Sequence, residues 1–130
     1  MKPRLLVDER AMISDVSHRL LDLAWEWYRS EILGEEKRGS TGRGISPAYT
    51  EETAHFPMHY ALFRGEREAF AQRMEARLER AVHIIRHVCR VSEEAWNGFF
   101  ETLTAAEERA NAATLESGAL DRTEVDFRRF

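Results

Sequence analysis

The chain has 130 residues, of which 43% are hydrophobic and 32% are charged, and its formal net charge is −4. This composition fits one globular domain with a solvated surface and excludes an intrinsically disordered chain, which would hold fewer apolar residues. The acidic balance argues against a protein that binds nucleic acid through an overall positive charge.

The first long helix is predicted from Glu9 to Leu33, with Asp8 as its N-cap. Apolar residues recur along it at spacings of three and four and fill two neighbouring stripes, so we expect it to be buried on more than one side. Gly34 is predicted to end this helix, because glycine readily adopts the left-handed conformation that follows a last helical turn.

Residues 34–46 are predicted to form a flexible, glycine-rich loop. The loop is longer than most connections between helices, so it is either a contact surface or a disordered connector. Ser46 and Pro47 then predict the start of a short helix that runs to about Ala54. Pro57 interrupts that helix, and a second short helix follows it.

The second long helix is predicted from Glu66 to Val91. Its apolar stripe has near-heptad spacing and consists of Phe70, Met74, Leu78, Ala81, Ile85 and Val88. A third long helix is predicted from the cap Ser92 to Gly118, and residues 119–130 form a C-terminal tail.

These elements predict an all-α fold, with three long helices and several short ones in a compact bundle that forms a single domain over residues 1–130. The apolar surface exceeds what a three-helix monomer easily buries, which predicts a homodimer. The lone cysteine, Cys89, excludes an internal disulfide and indicates a reducing, cytoplasmic location. We expect it to pack in the core. The sequence shows no signal peptide and no membrane span.

A line of basic side chains follows the second long helix on the face opposite Ile85. It consists of Arg73, Arg80, His83, His87 and Arg90. Such a line is either a solvated face or a surface that contacts phosphates or an acidic protein. With Arg38 and Arg43 in the loop, these residues are the predicted partner-binding set.

Histidine and glutamate spacings leave a metal site open as an alternative. His83 and His87 are four residues apart, and Glu52 and His55 are three apart, which are spacings that metal-binding helices use. The alternative set is Glu52, His55, His59, His83 and His87. No nucleophile motif or phosphate-binding strand–loop–helix occurs, so the sequence predicts no enzyme and no cofactor.

Residues 20–31, with their two tryptophans, the glycine-rich loop and the Ser46-Pro47 helix start resemble the N-terminal half of phage Q-type antitermination proteins. Residues 78–82 are similar to a later helix of that family. The resemblance implies a phage or prophage regulator that contacts RNA polymerase and DNA. The leading hypothesis is therefore a non-enzymatic helical regulatory or adaptor protein. Its alternatives are a metal-binding helical bundle and a self-assembling structural protein.

Overall fold

The computed structural model describes residues 6–116, and these residues confirm the all-α fold. Two of the five helices continue into a π-helical turn. The elements are α1 (Val16–Trp27, then the π-turn Tyr28–Ile32), α2 (Ile45–Thr53), α3 (Tyr60–Arg64), α4 (Arg67–His83, then the π-turn Ile84–Val88) and α5 (Glu93–Glu116). No helix within the described range is long and apolar enough to cross a membrane. The chain divides into two compact units, with α1 to α4 in the first and α5 in the second.

Helix α1 begins at Val16, so the predicted start at Glu9 is wrong. The true N-cap is Asp15, whose side chain accepts a hydrogen bond from the Ser17 N–H at 2.8 Å. In return, His18 Nδ1 accepts from the Asp15 N–H at 2.9 Å, which completes a reciprocal capping box. Upstream, the Ile13 N–H donates to the Met58 carbonyl at 2.7 Å, a long-range contact that holds the chain out of a helix.

The end of this first helical segment agrees with the prediction. Gly34 has a φ of 67° and follows Leu33, the C-cap of the π-turn. The next helix, α2, begins at Ile45 rather than at Pro47, so the predicted cap Ser46 lies inside the helix. The cap is instead Gly44, which has a φ of 77°.

The buried face of α4 differs from the predicted stripe near its end. Ala81 and Ile85 are buried as expected, but Val88 is 50% exposed and Cys89 is fully buried. A π-helical turn takes more residues per turn than an α-helical one, so the inward position moves along by one residue. Burial raises the pKa of the Cys89 thiol to about 11, which fits the expected packing role.

The core of the first unit is formed by small and medium apolar side chains from three helices and one loop. It comprises Leu20, Leu21 and Ala24 of α1, Ala48 of α2, Met58, and Ala81, Ile85 and Cys89 of the α4 segment. Small residues such as Ala24 and Ala81 let the helices approach closely. This packing brings the start of α2 beside α1, where the candidate site lies.

Helix α5 forms the described part of the second unit. It begins at Glu93, immediately after the predicted cap Ser92, and has acidic residues in its first turn. Trp96 and Phe100 pack edge to face with their ring centroids 4.9 Å apart. The predicted end at Gly118 and the tail at 119–130 lie outside the described residues, and the single domain and the homodimer stay predictions.

Candidate ligand-binding site

A pocket of about 500 Å³ lies in the first unit, between the α1 segment, the glycine-rich loop and the start of α2. Acidic, basic and aromatic side chains line it together. They are Asp22, Trp25, Glu26, Tyr28, Arg29 and Leu33 from the α1 segment, Arg38, Gly39 and Ser40 from the loop, and Ser46, Pro47 and Thr50 from α2. The pocket is large enough for a small molecule and has mixed polar and apolar walls.

The loop between Gly39 and Gly44 is held against α1 through its backbone. Three side chains of α1 each contact a different glycine of the loop. Arg19 Nε donates to the Gly42 carbonyl (3.2 Å), Asp22 Oδ2 accepts from the Gly44 N–H (3.0 Å) and Glu26 Oε2 accepts from the Gly39 N–H (3.1 Å). Because these contacts use the loop's backbone, the side chains of Ser40, Thr41 and Arg43 remain exposed.

Gly44 joins the loop to α2 at a position that only glycine fits. Its φ of 77° is left-handed, and a Cβ atom there would lie 2.6 Å from the His18 Cβ and 2.8 Å from the Arg19 nitrogen. As the N-cap of α2, Gly44 has no side chain to bond to the first-turn N–H groups of the helix. The positive end of the helix dipole therefore faces the loop, where the Asp22 carboxylate accepts from the N–H of the cap residue Gly44.

A cluster of charged groups, all of them buried except the partly exposed Arg80, fixes α2 against α1 and α4. Arg77 is fully buried, and its Nη2 atom lies 2.5 Å from Glu51 Oε2 and 3.2 Å from Asp15 Oδ2. His18 Nε2 lies 2.9 Å from Glu51 Oε2, and Arg80 Nη1 lies 3.0 Å from Glu51 Oε1. Each helix that borders the loop therefore contributes a charge to this cluster.

Glu51 is the centre of the cluster and stays ionised. Burial alone would raise the pKa of its carboxyl, but the hydrogen bond from His18 and the charges of Arg77 and Arg80 outweigh that effect and hold the pKa below its ordinary value. Removing one partner would leave another charge buried without compensation, which is costly. The cluster therefore determines how α2 is oriented.

The residues of the predicted basic line have different surroundings, and their role in binding a partner stays a prediction. Arg73 and Arg80 lie over the Phe56 ring, with guanidinium-to-centroid distances of 4.1 Å and 5.2 Å. His83 and His87 are exposed, with their ring centroids 5.2 Å apart. Arg90 is exposed and has a φ of 55°. Of the loop residues in the same set, Arg38 lines the pocket and Arg43 is exposed.

The five residues of the metal alternative are not brought together. Glu52 Oε2 lies 2.9 Å from His59 Nε2, while His55 adopts a left-handed φ of 57° just after α2. His83 and His87 lie on the α4 segment. In the range 6–116, no group of three or more histidine, cysteine, aspartate or glutamate side chains could hold a metal ion.

Sequence reasoning missed the buried charged cluster and the role of α1 in holding the loop. One signal was present: Arg77 stands four residues before Ala81 and eight before Ile85, so it shares their helical face. An arginine on a buried face requires an acidic partner. The periodicity of α4 does not show which acidic residue that partner is.

A family model described as adenylosuccinate synthetase matches residues 1–124 of this chain. The adenylosuccinate synthetase of Caldicellulosiruptor bescii is 36% identical over 84 residues, covering 65% of this chain and 18% of that protein. The one from Hahella chejuensis is 36% identical over 93 residues, covering 70% of this chain and 20% of that protein. The one from Pasteurella multocida is 38% identical over 76 residues. No solved structure matches this chain significantly.

These matches correct two predictions made from the sequence. The resemblance to phage Q-type antitermination proteins is wrong, because the family model covers nearly the whole chain and describes a different family. Paired tryptophans and a Ser-Pro helix start are common features and carry little family information. The predicted non-enzymatic regulatory or adaptor protein is also wrong, since the matched proteins are synthetases. The chain spans about a fifth of the length of these curated relatives.

Proposed function

Because the chain belongs to the adenylosuccinate synthetase family, we propose that its first unit provides part of the ligand-binding site of such an enzyme. The pocket beside the glycine-rich loop is the proposed binding place. The observation that carries this proposal is that Arg38, Gly39 and Ser40 form one wall of the pocket, while the N-terminus of α2 follows directly after the loop. As part of the same proposal, the protein is located in the cytoplasm.

The chemistry of the pocket suits the molecule after which the family is named. Adenylosuccinate is a nucleotide joined to a dicarboxylic acid, so it carries several negative charges and an aromatic base. Arg38 supplies positive charge from the pocket wall, and the dipole of α2 adds a favourable field for an anion. Hydroxyl groups of Ser40 and Ser46 are placed to donate hydrogen bonds to it.

Aromatic side chains of the α1 segment suit the base. Trp25 and Tyr28 pack edge to face with ring centroids 5.7 Å apart, and both line the pocket. Trp25 is 42% exposed, so a large part of its ring is accessible to a ligand. Stacking of a base on an aromatic ring is worth about 1–3 kcal/mol.

Calorimetric titration of the 130-residue chain with adenylosuccinate tests the proposal. Adenosine, which lacks the phosphate and the dicarboxylate, is the matched ligand control. We expect the chain to bind adenylosuccinate, and we expect Arg38→Ala to weaken that binding by about tenfold, the value of one charge-assisted hydrogen bond. Arg86→Ala is the control variant, since this exposed arginine lies on the α4 segment and does not line the pocket.

Two results would contradict the proposal. The first is that the wild-type chain shows no binding of adenylosuccinate at millimolar concentration. The second is that Arg38→Ala and Arg86→Ala weaken the binding equally. The second result would mean that overall charge, and not the loop, attracts the ligand.

A further inference from the structure

We propose that Asp22 and Glu26 are positioning residues that hold the glycine-rich loop in the shape in which it binds its ligand. This inference rests on the proposed function, because it concerns the same pocket. It assigns a role to two acidic side chains whose charge would otherwise oppose the binding of an anion there.

The geometry of α1 supports this role. Asp22 and Glu26 are one helical turn apart on the same face of α1, and they accept hydrogen bonds from the N–H groups of Gly44 and Gly39. These two glycines are the first and last residues of the Gly-Ser-Thr-Gly-Arg-Gly segment. One turn of helix therefore sets the distance between the two ends of the loop.

The two ends of the loop differ in what else holds them. Gly44 packs against the backbone of α1. Gly39 has a φ of 76°, and a Cβ built there would meet nothing within 4 Å among the described residues. Packing therefore contributes little at Gly39, and the hydrogen bond to Glu26 is the contact that restrains this end.

Restraining a loop before the ligand arrives increases affinity, because the ordering cost is already met in the free protein. Glycine has more conformational freedom to lose than any other residue, so the restraint matters most at such positions. With the loop backbone held by α1, the side chain of Ser40 stays exposed in the wall of the pocket. Glu26 thus acts through the loop and does not need to touch the ligand.

The sharpest test compares Glu26→Ala with Glu26→Gln in calorimetric titrations with adenylosuccinate. The alanine variant loses the acceptor for the Gly39 N–H, so we expect its affinity to fall about five- to tenfold. Glutamine keeps an oxygen acceptor at the same place, so we expect affinity within about twofold of wild type. Glu31→Ala removes the same charge from the exposed π-turn next to α1 and should leave affinity unchanged.

A second measurement does not need a ligand. Hydrogen exchange of the Gly39 amide, followed by NMR, should become faster in Glu26→Ala and stay near wild type in Glu26→Gln. Equilibrium urea unfolding of the same variants should give midpoints close to wild type, since Glu26 lies outside the core. A change in affinity and in Gly39 exchange without a change in stability would separate positioning from a general structural role.

The outcomes distinguish this inference from the proposed function. If the wild-type chain binds adenylosuccinate and Glu26→Ala binds equally well, the positioning role is overturned and the proposed function stands. If Glu26→Ala and Glu26→Gln both bind more tightly than wild type, the carboxylate opposes the ligand and the inference is likewise overturned. If the wild-type chain does not bind adenylosuccinate, both proposals fall.

Discussion

Replacing Gly44 by alanine should destabilise the first unit strongly, because two separate costs meet at this position. A non-glycine residue held at a φ of 77° pays about 1–2 kcal/mol for the left-handed conformation. The new Cβ would also lie 2.6–2.8 Å from atoms of His18 and Arg19, two of which are backbone atoms that do not rotate away. Overpacking of that kind costs about 1–3 kcal/mol.

The chain offers a matched control at the other end of the same loop. Gly39 has a nearly identical φ of 76°, but within the described structure its added Cβ would meet nothing within 4 Å. In Gly39→Ala, therefore, only the left-handed conformation lowers the free energy of unfolding. The less flexible unfolded chain offsets up to about 1 kcal/mol of that loss. The difference between the two variants isolates the close approach of Gly44 to α1, and we expect it to be about 1–3 kcal/mol.

Urea unfolding followed by circular dichroism measures this difference. For a domain of this size we expect Gly44→Ala to lower the midpoint by about 1 M more than Gly39→Ala does. Equal midpoints for the two variants would refute the reasoning, because they would show that α1 and the loop do not approach each other as closely as the structure has them. A change in the slope of the unfolding free energy against urea concentration would point instead to altered compactness of the native or the unfolded state.

Three further predictions concern buried groups. The folded-state pKa of Glu51 lies below its ordinary value of 4.5, so its ionised form stabilises the fold above that pH. This stability is lost as the pH falls through the folded-state pKa. Urea midpoints measured from about pH 7 to pH 3 should therefore fall less steeply in Glu51→Gln than in wild type. Arg77→Ala should cost about 3–5 kcal/mol, because it leaves Asp15 and Glu51 with fewer buried partners, whereas Arg77→Met fills the same space and tests how much of the loss is packing. The Cys89 thiol, buried and with its pKa raised to about 11, should react with a disulfide reagent at pH 8 far more slowly in the folded chain than in urea, and equal rates would place it at the surface.

Family membership changes how the loop is interpreted. The sequence predicts either a contact surface or a disordered connector for residues 34–46, since the glycine content and the length fit both. The structure shows hydrogen bonds between side chains of α1 and the backbone of three glycines of this segment, and a pocket beside it. The contact-surface alternative is therefore the one on which the proposed function builds.

The sequence by itself determines the local features of this chain. Apolar spacing predicts helices in the right parts of the chain, and Gly34 is correctly predicted to end the first one, because both effects depend on residues that are near each other along the backbone. The glycine-rich loop is also visible, and two of its arginines belong to the predicted binding set. Family membership follows from the sequence as well, but through comparison with relatives and not through short motifs.

Only the tertiary structure decides which residues are buried and what they contact. Helix α1 starts at Val16 and not at Glu9 because Ile13 bonds to Met58, which lies on a distant segment. Arg77 is buried because Asp15 and Glu51 reach it from other helices, and a helical pattern within α4 contains neither. The physical reason is the same throughout: helix formation depends on neighbours a few residues away, whereas burying a charge or enclosing a pocket requires partners that only the folded chain brings together.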